Sequence, residues 1–104
     1  MARQGDVLIV SVDTIPDGAK KVRRDRGRIV LAYGEVTGHA HAISDRRAEL
    51  LSHRDLEDRF LRVLAEGGVD LVHEEHAIIT IPRGDYLVRR QVEYTPAAIR
   101  QVAD

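Results

Sequence analysis

Turn residues cut this sequence into pieces that suit strands far better than long helices. Pro16-Asp17-Gly18, Asp25-Arg26-Gly27, Gly34, Gly67-Gly68 and Pro82-Arg83-Gly84-Asp85 each interrupt the apolar pattern. Proline presets φ and Asp-Gly suits a tight bend, so these are chain reversals with a mechanism. The segments between them are short and rich in Val, Ile and Leu. Val7 to Val12 is nearly all apolar and predicts a strand buried on both faces. Lys20 to Arg23 suits a short edge strand whose charges discourage further pairing. Arg28 to Tyr33, Gly38 to Ile43, Val69 to His73, Ala77 to Ile81 and Tyr86 to Tyr94 complete the clear strand candidates. In the last of these, Arg90 shares a face with Tyr86, Val88, Val92 and Tyr94, and would need a partner if buried.

The stretch from Arg46 to Glu66 has two readings. It can be a hairpin of Ala48 to Ser52 and Arg59 to Leu64 around a charged turn. It can also be one amphipathic helix, because Leu56, Phe60, Val63 and Leu64 share a helical face. The hairpin is preferred because its neighbours are all strands. At the C-terminus Thr95 caps and Pro96 starts a short helix over about 96–103, with Ile99 and Val102 as its apolar stripe. The expected fold class is therefore all-β: a small β-barrel or sandwich of short strands with a short C-terminal helix, in one domain over residues 1–104.

Composition bounds the function classes. The chain has 104 residues, no Cys, and 16 basic against 17 acidic residues for a formal charge of −1. That balance gives no global attraction to nucleic acid, although Lys20 to Arg28 and Arg89-Arg90 are local basic stretches. No apolar run approaches the roughly 18 residues of a membrane span. The first residues lack the apolar core of a signal peptide, so a cytoplasmic location is expected. A core built from Val, Ile and Leu, with one Phe and no Trp, is adequate but not generous. Association into a homo-oligomer, or docking on a protein partner, is expected to supplement it.

The histidines carry the chemistry. Gly38-His39-Ala40-His41 places two imidazoles on one side of a strand, and Gly38, Ala40 and Ala42 keep their surroundings small. His73-Glu74-Glu75-His76 is the second cluster. Its two rings face opposite ways on an ideal strand and converge only if the strand bends or ends there. His39, His41, His73 and His76 are thus the candidate ligands of a divalent transition metal: zinc, iron, manganese, nickel or copper. Glu35, Glu74 or Glu75 can add a carboxylate, and Glu35 is the candidate general base beside the ion. Without Cys and with one Met, only nitrogen and oxygen donors are on offer. His53, inside a charged turn, reads as solvated. Ser52, His53 and Asp55 adjoin in sequence, but triads are assembled in space. Asp45-Arg46-Arg47 and Arg89-Arg90 read as solvated or ion-paired charges. The competing reading is a non-catalytic oligomerising or protein-interaction module whose histidines are structural or pH-responsive.

Three resemblances attach to these residues. Gly34, His39-Ala40-His41 and Asp45 resemble the first half of the cupin motif, which implies a β-barrel with a metal in its mouth. Pro82-Arg83-Gly84 is similar to the cupin turn but follows His76 instead of preceding it, and the chain is short for a cupin. Metal-dependent deubiquitinase-type isopeptidases also combine Glu with H-x-H and later Ser and Asp. The Ser52 to Asp55 spacing departs from theirs, which excludes that family. Over nearly the whole chain, the segments Gly34 to His41, His73 to His76 and Tyr86 to Pro96 resemble a family of short uncharacterised bacterial proteins. That resemblance implies a shared fold unit and carries no activity.

Overall fold

A computed structural model describes residues 1–34 and 36–91. Ten strands run through them: β1 (Ala2–Gln4), β2 (Val7–Ser11), β3 (Lys20–Lys21), β4 (Ile29–Tyr33), β5 (Ala40–Ile43), β6 (Ala48–Ser52), β7 (Arg59–Val63), β8 (Val69–Leu71), β9 (Ile79–Ile81) and β10 (Gly84–Arg90). The class is all-β, and every pairing is antiparallel. None of the described residues is helical, so no helix among them is long and apolar enough to cross a membrane. The short helix expected over about 96–103 lies outside the described residues.

One sheet has six strands in the order β1-β2-β10-β7-β6-β3. The hairpins β4–β5 and β8–β9 form a second layer, joined to each other by a bridge between Ala42 and Val72. The core lies between the layers. Val7, Ile9, Leu50, Leu61, Val63, Tyr86 and Val88 from the large sheet meet Ile29, Leu31, Ile43, Val69, Leu71 and Ile81 from the hairpins. These positions alternate along each strand, which is the period-2 signature of a sheet with one core face. Each large apolar side chain removed from water contributes roughly 1.5–3 kcal/mol.

The outer face of the large sheet carries a smaller cluster. Leu51 and Phe60 are cross-strand partners, Leu87 pairs with Phe60, and Ile15 and Ala19 cover them. This settles the Arg46 to Glu66 stretch as a hairpin. Leu50 pairs with Leu61 in the core while Leu51 pairs with Phe60 outside, so both faces have apolar partners only at period 2. Leu56, needed for the helical stripe, stands exposed in the turn.

Two strand expectations are corrected. Val7 to Val12 is not buried on both faces: Val7 and Ile9 are, while Leu8 and Val10 are half-buried. The outer cluster reaches β10 through Leu87 and includes neither of them. Ala77 and Ile78 stand exposed ahead of β9, which starts at Ile79. Elsewhere, Lys20 and Lys21 do form an edge strand. A bulge in β4 sets Val30 opposite Ala42 and Ala32 opposite His41, leaving Leu31 as the extra residue.

The core assignment is tested by Leu61→Ala, which should cost about 2–5 kcal/mol in denaturant unfolding. Leu56→Ala should stay within about 0.5 kcal/mol. Equal losses from the two would contradict this packing.

Candidate functional site

In β5, His41 and Ile43 point to the core side while Ala40 and Ala42 join Val30 on the other. His41 therefore enters the fold's interior, where an imidazole needs a partner for its polar nitrogen. That partner is Gln4, the last residue of β1, which is itself 2% exposed. The Gln4 Nε2 amide donates to the Leu71 carbonyl at 2.8 Å and to the Ala77 carbonyl at 3.0 Å. Both of those oxygens only accept, so the orientation of the amide is fixed. Its Oε1 must then accept from Nδ1 of His41, at 2.8 Å. Neutral His41 thus carries its proton on Nδ1 and presents a lone pair at Nε2.

Leu71 and Ala77 flank the His73-Glu74-Glu75-His76 segment. The strand β8 ends at Leu71 and Val72 pairs with Ala42, after which the chain leaves the sheet until β9. This is the strand ending under which the two rings can converge. The ring centroids of His73 and His76 are 4.6 Å apart, those of His41 and His73 4.2 Å, and those of His41 and His76 5.7 Å. One ligand atom from each of His41, His73 and His76 lies within 4.8 Å of the others. His39, the other half of the H-x-H pair, sits at a neighbouring position. Its ring is edge-on to His73 at 5.7 Å, and His39, His73 and Glu74 form a second group within the same 4.8 Å limit. His73 is shared by both groups.

Local bonds fix the segment. Nδ1 of His73 accepts the Glu75 backbone N–H at 3.0 Å, which places the ring proton of neutral His73 on Nε2. An ion taken by this ring replaces either that proton or that amide. A Glu74 carboxylate oxygen accepts the Ala40 backbone N–H at 2.8 Å and so ties the segment to β5. This bond, helped by Glu74's own backbone N–H, holds the Glu74 carboxyl below its ordinary range. Glu75 Oε2 lies 3.9 Å from Nδ1 of His39. Glu35, the candidate base, lies outside the described residues.

The first hairpin completes the site. Gly5 and Asp6 form its two-residue loop, with Gly5 at a φ of 57°. A Cβ at Gly5 would lie 2.7 Å from Nε2 of His76 and 3.2 Å from Cε1 of His41, so a side chain here displaces the His76 ring and crowds the His41 ring. Asp6 Oδ1 stands 3.6 Å from Nε2 of His41, and Asp6 Oδ2 accepts from Nε of Arg90 at 2.6 Å. Arg90 on β10 is exposed, so its expected need for a buried partner does not arise. Partial burial works against ionisation of Asp6, but the Arg90 hydrogen bond and charge outweigh it and hold the carboxyl below its usual range. Burial pushes the His41 imidazole below 6.5, and His73, His76 and Arg90 act in the same direction against Asp6. The four rings, with Gly5, Asp6 and Arg90, line an open cleft of about 320 Å³.

Other candidate residues are engaged elsewhere. Asp45, the acidic position of the cupin resemblance, bonds the side chain and backbone N–H of Arg47, and is pulled down to about 2 by those bonds. His53 is half-exposed and bonded in its turn, with Nε2 donating to the Asp17 carbonyl and Nδ1 accepting the Asp55 N–H, both at 3.1 Å. Arg89 pairs with Asp58 and Lys21 with Glu49, while Arg24 bonds the Gly27, Asp45 and Ala48 carbonyls. Gln4, Gly5, Asp6 and Arg90 adjoin the histidines without being candidates from sequence. The only linear hint was that Arg90 falls on an apolar face.

Two outcomes follow from this network. Gln4→Leu leaves His41 Nδ1 and the Leu71 and Ala77 carbonyls without their partner, so it should cost at least about 2 kcal/mol in denaturant unfolding. A loss below about 0.5 kcal/mol would show that water replaces the amide. His41 holds its proton more weakly folded than unfolded, so its contribution to stability is complete above about pH 6.5. That contribution is lost as the pH falls from there through the lower value in the fold. Denaturation midpoints between pH 8 and 5 should fall with acid in the wild type and fall less in His41→Asn.

Residues 3–91 match the family described as Domain of unknown function (DUF8820), and the chain belongs to that family. No curated protein and no solved structure matches the chain significantly.

Proposed function

We propose that this member of a family without an assigned activity binds a divalent transition metal ion through His41, His73 and His76, with His39 and Glu74 on the adjoining side of His73. The observation that carries the reading is the approach of three imidazole donor atoms to within 4.8 Å of one another. Three nitrogen donors suit zinc, iron, manganese, nickel or copper, and a chain without Cys disfavours soft-metal storage. The protonation state agrees with it. Burial keeps His41 neutral near pH 7, and Gln4 leaves its Nε2 lone pair free to donate. Ligating histidines commonly have such a partner on the other ring nitrogen. An interaction module with interfacial histidines would carry its rings on the surface, whereas two of these three are buried, His41 at 3% and His73 at 8% exposed, with His76 standing at the open side of the cluster. Three protein donors leave one tetrahedral position open, and what fills it decides between activating water and holding the ion.

Titration calorimetry with Zn²⁺, beside elemental analysis of natively purified protein, tests the reading. One ion per chain is expected, with affinity falling at least tenfold in His41→Ala and in His73→Ala. Absence of binding by folded wild-type protein would overturn it.

A further inference from the structure

The three imidazoles that gather in the cleft do so without a fourth protein donor among the described residues. His41, His73 and His76 form one group, while His39 joins His73 and Glu74 instead. Asp6 approaches only His41 of these rings, at 3.6 Å, and its other oxygen is taken by Nε of Arg90. His41 and His73 are buried and close the group from within, whereas His76 is exposed at its outer side. An ion held by these rings therefore keeps its remaining position toward the cleft, where sites with three protein donors take water or substrate.

Charge limits what can occupy that position. The cleft's carboxylates, on Asp6 and Glu75, outnumber its one permanent cation, Arg90. Without an ion the balance is negative and repels anions, and a bound divalent ion reverses the sign. Arg90 donates through Nε to Asp6, and its two terminal nitrogens hydrogen-bond nothing among the described residues. The Asp6 carboxylate measures the span between guanidinium and ring. One of its oxygens lies 2.6 Å from Nε of Arg90 and the other 3.6 Å from Nε2 of His41, so the two groups stand one carboxylate apart. A second oxyanion of similar width, set beside Asp6, reaches from the ion to a terminal N–H of Arg90. Guanidinium groups suit the oxygens of carboxylates and phosphates.

We propose that the site takes a small oxyanion, a carboxylate or a phosphate monoester, with one oxygen on the ion's open position and a second on Arg90, and that the anion enters only after the metal. The inference rests on the metal-binding reading above and deepens it by naming the ligand class. The ion supplies both a bond and the sign of the field, so Arg90 alone does not recruit the anion. At about 320 Å³ the cleft is near the lower end of ligand pockets, which suits a ligand of few atoms. Arg90 is the binding residue for the anion, and Asp6 fixes the direction of its guanidinium.

Co²⁺ is the probe, because its visible absorption reports changes in coordination. Wild-type protein saturated with Co²⁺ is titrated with acetate and, separately, with methyl phosphate. A saturable change of spectrum is expected with at least one of them, and which one answers separates carboxylate from phosphate ligands. At saturating Co²⁺, Arg90→Gln should bind that anion about tenfold more weakly, the loss of a charge-assisted hydrogen bond. Arg89→Gln, which removes the neighbouring guanidinium paired with Asp58 outside this cleft, should stay within about twofold of wild type. Calorimetry on metal-free protein should show no binding of either anion. A Co²⁺ spectrum indifferent to both anions would overturn the proposal, and that arm needs no variant. Undiminished anion affinity in Arg90→Gln would overturn it too, as would equal binding by metal-free protein. Failure of folded wild-type protein to bind Co²⁺ or Zn²⁺ is a separate result, which would overturn the metal-binding reading itself.

Discussion

The Gln4 side-chain amide joins the parts of this fold that carry its unusual chemistry. Its three hydrogen bonds reach three separate places: the ring of His41 in β5, the Leu71 carbonyl that ends β8, and the carbonyl of Ala77, two residues before β9. An apolar residue here would leave the His41 ring and the Leu71 carbonyl, both buried, without this partner, each costing about 1–3 kcal/mol, and would also free the more exposed Ala77 carbonyl. The same amide decides which nitrogen of His41 holds the proton. A single buried polar group thereby sets both the seating of a loop and the electronic state of a ring in the cleft.

Around that link, the backbone is arranged to gather histidines at one end of the core. The bulge in β4 brings Ala32 opposite His41, and the bridge from Ala42 to Val72 pulls the end of β8 against β5. Gly5 then lets the first turn approach two rings more closely than any side chain would permit. The rest of the core is Val, Ile, Leu and Ala with Tyr86, whose hydroxyl donates to the Pro82 carbonyl, so the histidine cluster is confined to one edge. Confinement matters energetically because imidazoles scattered through the core would each need a separate partner.

Much of this was legible in the sequence. Turn residues and period-2 apolar segments point to short antiparallel strands, and the hairpin across Ala48 to Val63 follows from them. H-x-H and H-x-x-H mark the rings themselves. What sequence could not supply was the company they keep. Gln4 and Asp6 sit 37 and 35 positions from His41, and nothing in a three-residue first strand distinguishes a tether from a chain end. The convergence of His73 and His76 depends on where β8 stops, which is set by a pairing with Ala42 and not by residues 73–76. The split between His39 and His41 is equally invisible. The two rings are two residues apart in sequence, yet His41 groups with His73 and His76 while His39 groups with His73 and Glu74. The apolar run Val7 to Val12 likewise does not reveal that Leu8 and Val10 are only half-buried, because coverage of an outer face depends on distant segments.

The strand that carries Gln4 lies at an edge of the six-stranded sheet and pairs on one side only. Edge strands, paired on one side only, open locally at a free energy below that of global unfolding. Each such opening would withdraw the amide from His41 and release both ends of the loop at once. Amide exchange in Ala2 to Gln4 therefore reports how often the cleft loses this anchor.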